Sequence, residues 1–246
     1  MSDSAPIPAA TAIVMRDGPS VPELLMVERA QGMAFAAGAL VFPGGRVDPG
    51  DRALAALLGA GDLDEAAARI AAIRETLEEA GVALGSALPA DAIEPVRDAL
   101  HHGDTMMQAW PAPLDLEMLV PFARWVPHSV ASRRFDTRFY LAQMPADAPE
   151  ARADAGENVR LFWASARDVL AETDGGGASL VFPTRRTLER LARFASFDEA
   201  VADARSHPLT SITPFIELRD GVEHLCIPDG LGYPVTAEPL ERVRRG

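Results

Sequence analysis

Between Asp62 and Gly81 apolar positions recur at helical spacing, with Ala66, Ile70, Ile73 and Leu77 forming one stripe. Asp62, with Glu65 three residues on, opens the stretch in the manner of a capping box, and Gly81 is placed to close it in a left-handed cap. At about 100° per residue, Glu75, Glu78 and Glu79 gather nearly opposite the stripe. The helix is therefore expected to pack on its apolar face and turn the acidic one outward. Like charges three or four apart on a helix cost roughly a few tenths of a kcal/mol per pair, so their concentration needs a reason.

Other segments alternate with the period of strands. After a frayed tail over residues 1–8, "AATAIVMRDG" and "PELLMVERA" read as two strands joined by a turn at Asp17 to Pro22. A glycine- and proline-rich loop, Phe42 to Asp51, leads into an alanine- and leucine-rich segment from Arg52 to Gly61. Leu84 to Pro121 is helical in pattern and broken by prolines, an insertion on one side of the core. "PFARWVPHS", "RRFDTRFYLAQMP" and "ENVRLFWAS" predict strands, the second alternating at Phe135, Thr137, Phe139 and Leu141. A short helix over Ala164 to Glu172, one or two more within "TRRTLERLARFASFDEAVADARSH", and a hairpin turning at Asp220-Gly221 complete the chain. Strands and helices mix without strict βαβ alternation or internal repeat, which predicts an α+β fold with a mixed sheet.

The length of 246 residues suits one elaborated domain, and 48% hydrophobic with 24% charged residues is an ordinary globular balance. Lys plus Arg is 23 against 36 Asp plus Glu, a formal charge of -13. That argues against nucleic acid or an anionic membrane as the main partner. A small anionic substrate stays open if a metal bridges it. Cys226 is alone, so no intramolecular disulfide forms, and no Cys/His spacing suggests zinc. A cytoplasmic location is expected, with no basic signal-peptide start and no run of roughly 18 apolar residues.

The glycine loop and the acidic helix together carry the chemistry. "GGRVDPGD" followed by "RETLEEAGV" resembles the box of the Nudix hydrolases: Gly, five residues, Glu, seven residues, Arg-Glu, two residues, Glu-Glu, any residue, Gly. Here Gly45 leads to Asp51 and then to Arg74-Glu75-Thr76-Leu77-Glu78-Glu79-Ala80-Gly81-Val82. Asp51 stands where the family has Glu, Thr76 where it usually has an aliphatic residue, and the spacer from Arg52 to Ile73 holds 22 residues instead of seven. The extra residues are expected to begin in a loop, so that Gly44 and Gly45 still fold back onto the helix at little cost.

The resemblance implies a Nudix-type α/β/α sandwich with the helical insertion at about 84–121 and a C-terminal helix and hairpin extension from about 180 to 246. It implies Mg²⁺ or Mn²⁺ on Glu75, Glu78 and Glu79 with the Gly45 carbonyl, since hard cations take oxygen ligands. Arg74 would orient a glutamate. The general base would be a helix glutamate such as Glu78, or a loop acid, for which Glu157 is the candidate; a solvated Glu157 is the other reading. Arg133 and Arg134 either contact substrate phosphates or form surface ion pairs. A homodimer is a family tendency.

A narrower resemblance, in "GMAFAAGALVFPGG", "FARWVPHSVASRRFDTRFYLA" and "LARFASF", is to the branch with an interrupted box that includes eukaryotic organellar coenzyme A diphosphatases. It implies cleavage of CoA or acyl-CoA to phosphopantetheine, or its acyl form, and adenosine 3′,5′-bisphosphate. Gly38 and Phe42-Pro43-Gly44-Gly45 match part of the CoA-associated signature, while Ala34 stands where that signature has arginine. The alternatives are a domain that binds a nucleotide without cleaving it, or a hydrolase of ADP-ribose, NADH or oxidised nucleoside triphosphates.

Overall fold

The computed structural model describes residues 5–30, 37–127, 134–153 and 158–243; Ala34, Arg133 and Glu157 lie outside them. β1 (Ile7–Arg16) and β2 (Glu23–Arg29) are the expected first strands, with β1 starting inside the stretch expected to fray. The glycine-rich segment is more ordered than the loop expected there. Preceded by β3 (Leu40–Val41), it carries β4 (Gly44–Arg46) and the start of α1 (Pro49–Leu57), ahead of α2 (Leu63–Ala80). The insertion holds α3 (Ala90–His101), α4 (Met106–Ala109) and a 3₁₀ turn at Leu116–Met118. Then follow β5 (Val120–Trp125), β6 (Phe135–Gln143), β7 (Asn158–Ser165) and α5 (Ala166–Asp174). The chain continues through α6 (Phe182–Leu191), α7 (Phe197–Ser206), β8 (Ser211–Ile212), the β9 (Phe215–Arg219) and β10 (Val222–Cys226) hairpin, β11 (Ala237–Pro239) and α8 (Leu240–Val243).

The main sheet runs β3-β2-β1-β6-β5-β8, with β7 on β2 and β4 on β1. β1 is parallel to β6, and β5 is antiparallel to β6, so the sheet is mixed. Alternation along β1 sets two cores: Ala10, Ala12 and Val14 pack with α2 and the insertion, while Ile13 and Met15 pack with α5, α6 and α7. The result is helices on both faces of one sheet. No helix of the described residues is long and apolar enough to cross a membrane.

The edge of β1 is divided. Met15 and Arg16 pair with β2, whereas Ala9, Ala10 and Thr11 pair with Arg46, Gly45 and Gly44 of β4. β1 and β2 splay apart between these pairings, and β3 and β4 fill the gap, β3 on β2 and β4 on β1. The Ala12 N–H donates to the Pro43 carbonyl at 3.0 Å, closing the splay.

α2 begins and ends as its sequence predicts. The Glu65 N–H donates to Asp62 Oδ1 at 3.0 Å, and Gly81 at φ 67° closes the helix with its N–H on the Leu77 carbonyl. Its acidic side does not face water, contrary to expectation. Arg74, Thr76 and Glu79 are buried with the apolar stripe, because β4 and α1 cover the polar side. Thr76 is accommodated by donating its hydroxyl to the Ala72 carbonyl at 2.7 Å. The extra residues of the interrupted box do not begin in a loop either. Asp48 caps α1, Pro49 takes the first helical position, and Asp51 is already inside the helix.

Candidate active site

β4 and α2 form the site by close approach. The Gly44 N–H donates to Glu79 Oε2 at 3.0 Å. A Cβ on Gly45 would collide with the Glu75 carboxyl, and one on Gly44 would collide with the Ala10 carbonyl of β1. The two glycines therefore let a strand lie directly on the acidic side of a helix.

Arg74 organises the carboxylates. Its Nε and Nη2 donate to Asp51 Oδ1 and Oδ2 at 3.1 and 3.0 Å, a two-point pair in which Asp51 is 1% exposed. Nη1 donates to Glu75 Oε1 at 2.9 Å and Glu78 Oε2 at 3.0 Å, and Nη2 also donates to the Arg46 carbonyl at 2.9 Å. Asp51 Oδ2 in turn accepts the Asp48 N–H at 2.8 Å, so the turn into α1 is fastened to the same guanidinium.

Among the described residues acids gather around two arginines there. Asp48, Asp51, Glu75, Glu78 and Glu79 surround Arg74 and Arg29, the latter with Nη1 3.9 Å from Glu79 Oε1. Burial pushes the Glu75 carboxyl up to about 7, with Arg74 opposing and Glu78 reinforcing the rise. Burial likewise raises Glu78, against the pull of Arg74. Burial works against the Arg74 charge, but the Asp51 hydrogen bonds and the surrounding carboxylates outweigh it and raise its pKa.

Among the described residues no three His, Cys, Asp or Glu side chains converge as a finished metal cage. Arg74 lies between Glu75 and Glu78, and Glu79 is turned toward the Gly44 N–H. The donor chemistry nevertheless fits a hard divalent cation. The oxygens are carboxylate, and burial makes their charge costly without a counterion.

The structure brings together Gly44, Gly45, Arg74, Glu75, Glu78 and Glu79. Arg134 lies at the foot of β6, where its carbonyl accepts the Ile7 N–H at 2.8 Å. Arg133 and Glu157 are outside the described residues. Two residues of the site had no sequence-based assignment. Asp48 had a readable signal, a capping residue before Pro49; Arg29, a lone arginine at a strand end, had none.

The family model of the NUDIX domain matches residues 6–182. Among solved structures, a NUDIX hydrolase from Alicyclobacillus acidocaldarius is 31% identical, over 82% of this chain and 97% of that one, with a TM-score of 0.71. A MutT NUDIX hydrolase from Burkholderia pseudomallei is 21% identical over 76% of this chain and 98% of its own, with a TM-score of 0.43. The NUDIX domain of Shewanella oneidensis NrtR, solved with ADP ribose, is 16% identical over 77% of this chain and 88% of that one, with a TM-score of 0.45.

Proposed function

The chain belongs to the Nudix domain family, and on that premise we propose that it hydrolyses the diphosphate bond of a nucleoside diphosphate derivative, with CoA or acyl-CoA the favoured substrate. The observation that carries the reading is the closure of the glycine strand on the acidic helix, with Gly44 bonded to Glu79 and Arg74 holding Asp51, Glu75 and Glu78 at once. The preference for CoA rests on the sequence signature at Gly38 and Phe42 to Gly45.

Glu75, Glu78 and Glu79 would hold Mg²⁺ or Mn²⁺. Such a cation, when bound, offsets diphosphate charge and lowers the pKa of a coordinated water. Arg74 keeps Glu75 and Glu78 oriented, and Asp51 keeps Arg74 in place by the two-point pair. The Gly44 N–H fixes one oxygen of Glu79, leaving the carboxylate restricted in rotation. Arg29, beside Glu79, supplies positive charge where a phosphate oxygen would arrive, and Arg134 is the second candidate for that contact. Water adds to one phosphorus, the bridging P–O bond breaks, and Glu78 or Glu157 accepts the proton of the attacking water. With CoA the products are phosphopantetheine and adenosine 3′,5′-bisphosphate.

A second reading has one observation in its favour. With Glu75 and Glu78 both bonded to Arg74, the site can bind a nucleotide without cleaving it. Incubation with CoA, acetyl-CoA, ADP-ribose, NADH, dinucleoside polyphosphates and 8-oxo-dGTP, each with Mg²⁺ or Mn²⁺ and beside Glu79→Gln, separates the two. Metal-dependent release of adenosine 3′,5′-bisphosphate that is lost in Glu79→Gln is the expected result. Turnover of another compound removes the CoA preference and keeps the reaction. Ligand-induced thermal stabilisation without any turnover sinks the hydrolase reading in favour of binding.

A further inference from the structure

β7 opens on a buried amide that makes no hydrogen bond. Asn158, its first residue, is 8% exposed, and among the described residues neither its Oδ1 nor its Nδ2 has a hydrogen-bond partner. Buried polar groups are ordinarily paired, because an unpaired one forfeits its hydration and gains nothing in return. Arg29 repeats the pattern: its side chain is largely buried, and its Nε has no hydrogen-bond partner either.

The strand register sets these two side chains together. β7 runs antiparallel to β2, pairing Trp163 with Leu25, Leu161 with Val27, and Asn158 with Arg29. From the Glu28 and Arg160 pair to the Arg29 and Asn158 pair, β2 advances one residue and β7 two, so a bulge intervenes at Val159. In a regular ladder Val159 would stand opposite Arg29. The bulge gives that place to Asn158 and leaves Val159 66% exposed. Residues directly opposite in an antiparallel pair share a face, with Cβ atoms about 5 Å apart. Leu161 and Trp163 on that face pack into the core beneath α2, and Arg29 reaches from it to within 3.9 Å of Glu79 Oε1. Asn158 therefore adjoins the acidic site.

The chemistry of the pair narrows the ligand. Phosphate oxygens accept hydrogen bonds, and an anionic oxygen between Arg29 and Asn158 takes one from each. We propose that Arg29 and Asn158 form a subsite for a phosphate oxygen of the substrate, with Arg29 Nε and Asn158 Nδ2 as the donors. The subsite rests on the proposed hydrolysis and adds to it a neutral group far along the chain from the glycine and glutamate motif. Arg29 offsets charge there, and Asn158 fixes direction without adding any. Asn158 Oδ1 is left to accept from a hydroxyl or water beside that phosphate. In the free protein the amide is a cost to the fold, as expected of a group kept for a ligand.

Methylenediphosphonate, a diphosphate analogue whose bridging carbon resists hydrolysis, tests this in calorimetry on the full chain with Mg²⁺, beside melting curves. Asn158→Leu removes the amide at nearly constant volume. It is expected to bind the analogue at least about tenfold more weakly than wild type. It should melt no lower, since an unpaired buried amide adds nothing to the fold. Asn158→Asp sets a carboxylate against the phosphate and should also lose affinity. An amide serving the structure behaves the other way: Asn158→Leu then melts well below wild type, and that result overturns the proposal. A wild type that does not bind the analogue overturns it too, as does unchanged affinity in either variant. Turnover separates the subsite from the hydrolysis beneath it. If no diphosphate is cleaved but the analogue binds through Asn158, the hydrolysis fails and the subsite stands. If wild type cleaves a diphosphate while Asn158→Leu keeps both its KM and its affinity for the analogue, the hydrolysis stands and the subsite fails.

Discussion

The Glu75 carboxyl occupies the space a side chain on Gly45 would need. Gly45→Ala must push that carboxylate, or the whole of β4, away from α2. A displacement of about 1 Å in a catalytic group can cost about a hundredfold in rate, so kcat should fall by that order while circular dichroism stays native. Activity within about twofold of wild type would show that the close approach does not matter. At this scale the sequence was informative where residues are neighbours in the chain: Arg74, Glu75, Glu78 and Glu79 sit within one and a half turns of a helix. It was silent on Arg29, whose partner Glu79 lies 50 positions away, and the pairing arises only because β2 and α2 end at the same place.

α1 illustrates an element whose function comes from one buried contact. Its residue Asp51 holds Arg74 from across the interruption, so the inserted helix is tied into the site. Removing one partner of a buried ion pair typically costs about 3 to 5 kcal/mol, so Asp51→Ala should lower the melting temperature markedly and reduce activity. Asp51→Glu keeps the charge and should retain most of both. If Asp51→Ala melts like wild type, Arg74 is not held from α1. The start of α1 was legible in Asp48 and Pro49, yet glycine and proline nearby read as loop. The outward acidic face of α2 was a reasonable inference from periodicity that failed for a physical reason. Hydrophobic period separates apolar from polar positions, but it cannot tell a polar face in water from one covered by a strand and neutralised by a buried arginine. The hairpin, in contrast, was readable outright, because Asp220-Gly221 needs positive φ and both residues have it.

For the whole molecule the buried acids set a pH dependence. Glu75 has an ordinary carboxyl pKa of 4.5 and is raised to about 7 by burial in the folded chain. Between those values the folded state holds more protons than the unfolded one. Stability is then highest below the lower value and is lost as pH rises through the upper one. Glu78 is raised in the same direction and adds to the slope. Metal-free protein should therefore melt at lower temperature at about pH 8 than at about pH 5, and Glu75→Gln should flatten the difference. On the proposed metal site, added Mg²⁺ or Mn²⁺ should restore the loss at about pH 8, and at about pH 6 its binding should release protons, since carboxylates must be ionised to bind. Calorimetry in chelator, and separately in chelator-free buffer with the cation, reads all three; equal melting of the metal-free protein at both pH values would contradict the account.

The divided edge of β1 makes the sheet a ruler for the site. Gly45 sits against Glu75 because it is aligned with Ala10, and Gly44 meets Glu79 because it is aligned with Thr11. Side chains along a strand alternate, so a slip of a single position in that alignment would bring Arg46 or Pro43 to the carboxylates in place of a glycine. The placement of the two glycines against the acids is thus written in the strand pairing of the first dozen residues. Substitutions in that opening strand are expected to tune reactivity without touching the chemistry, much as moving a workbench vice changes the cut and leaves the blade alone.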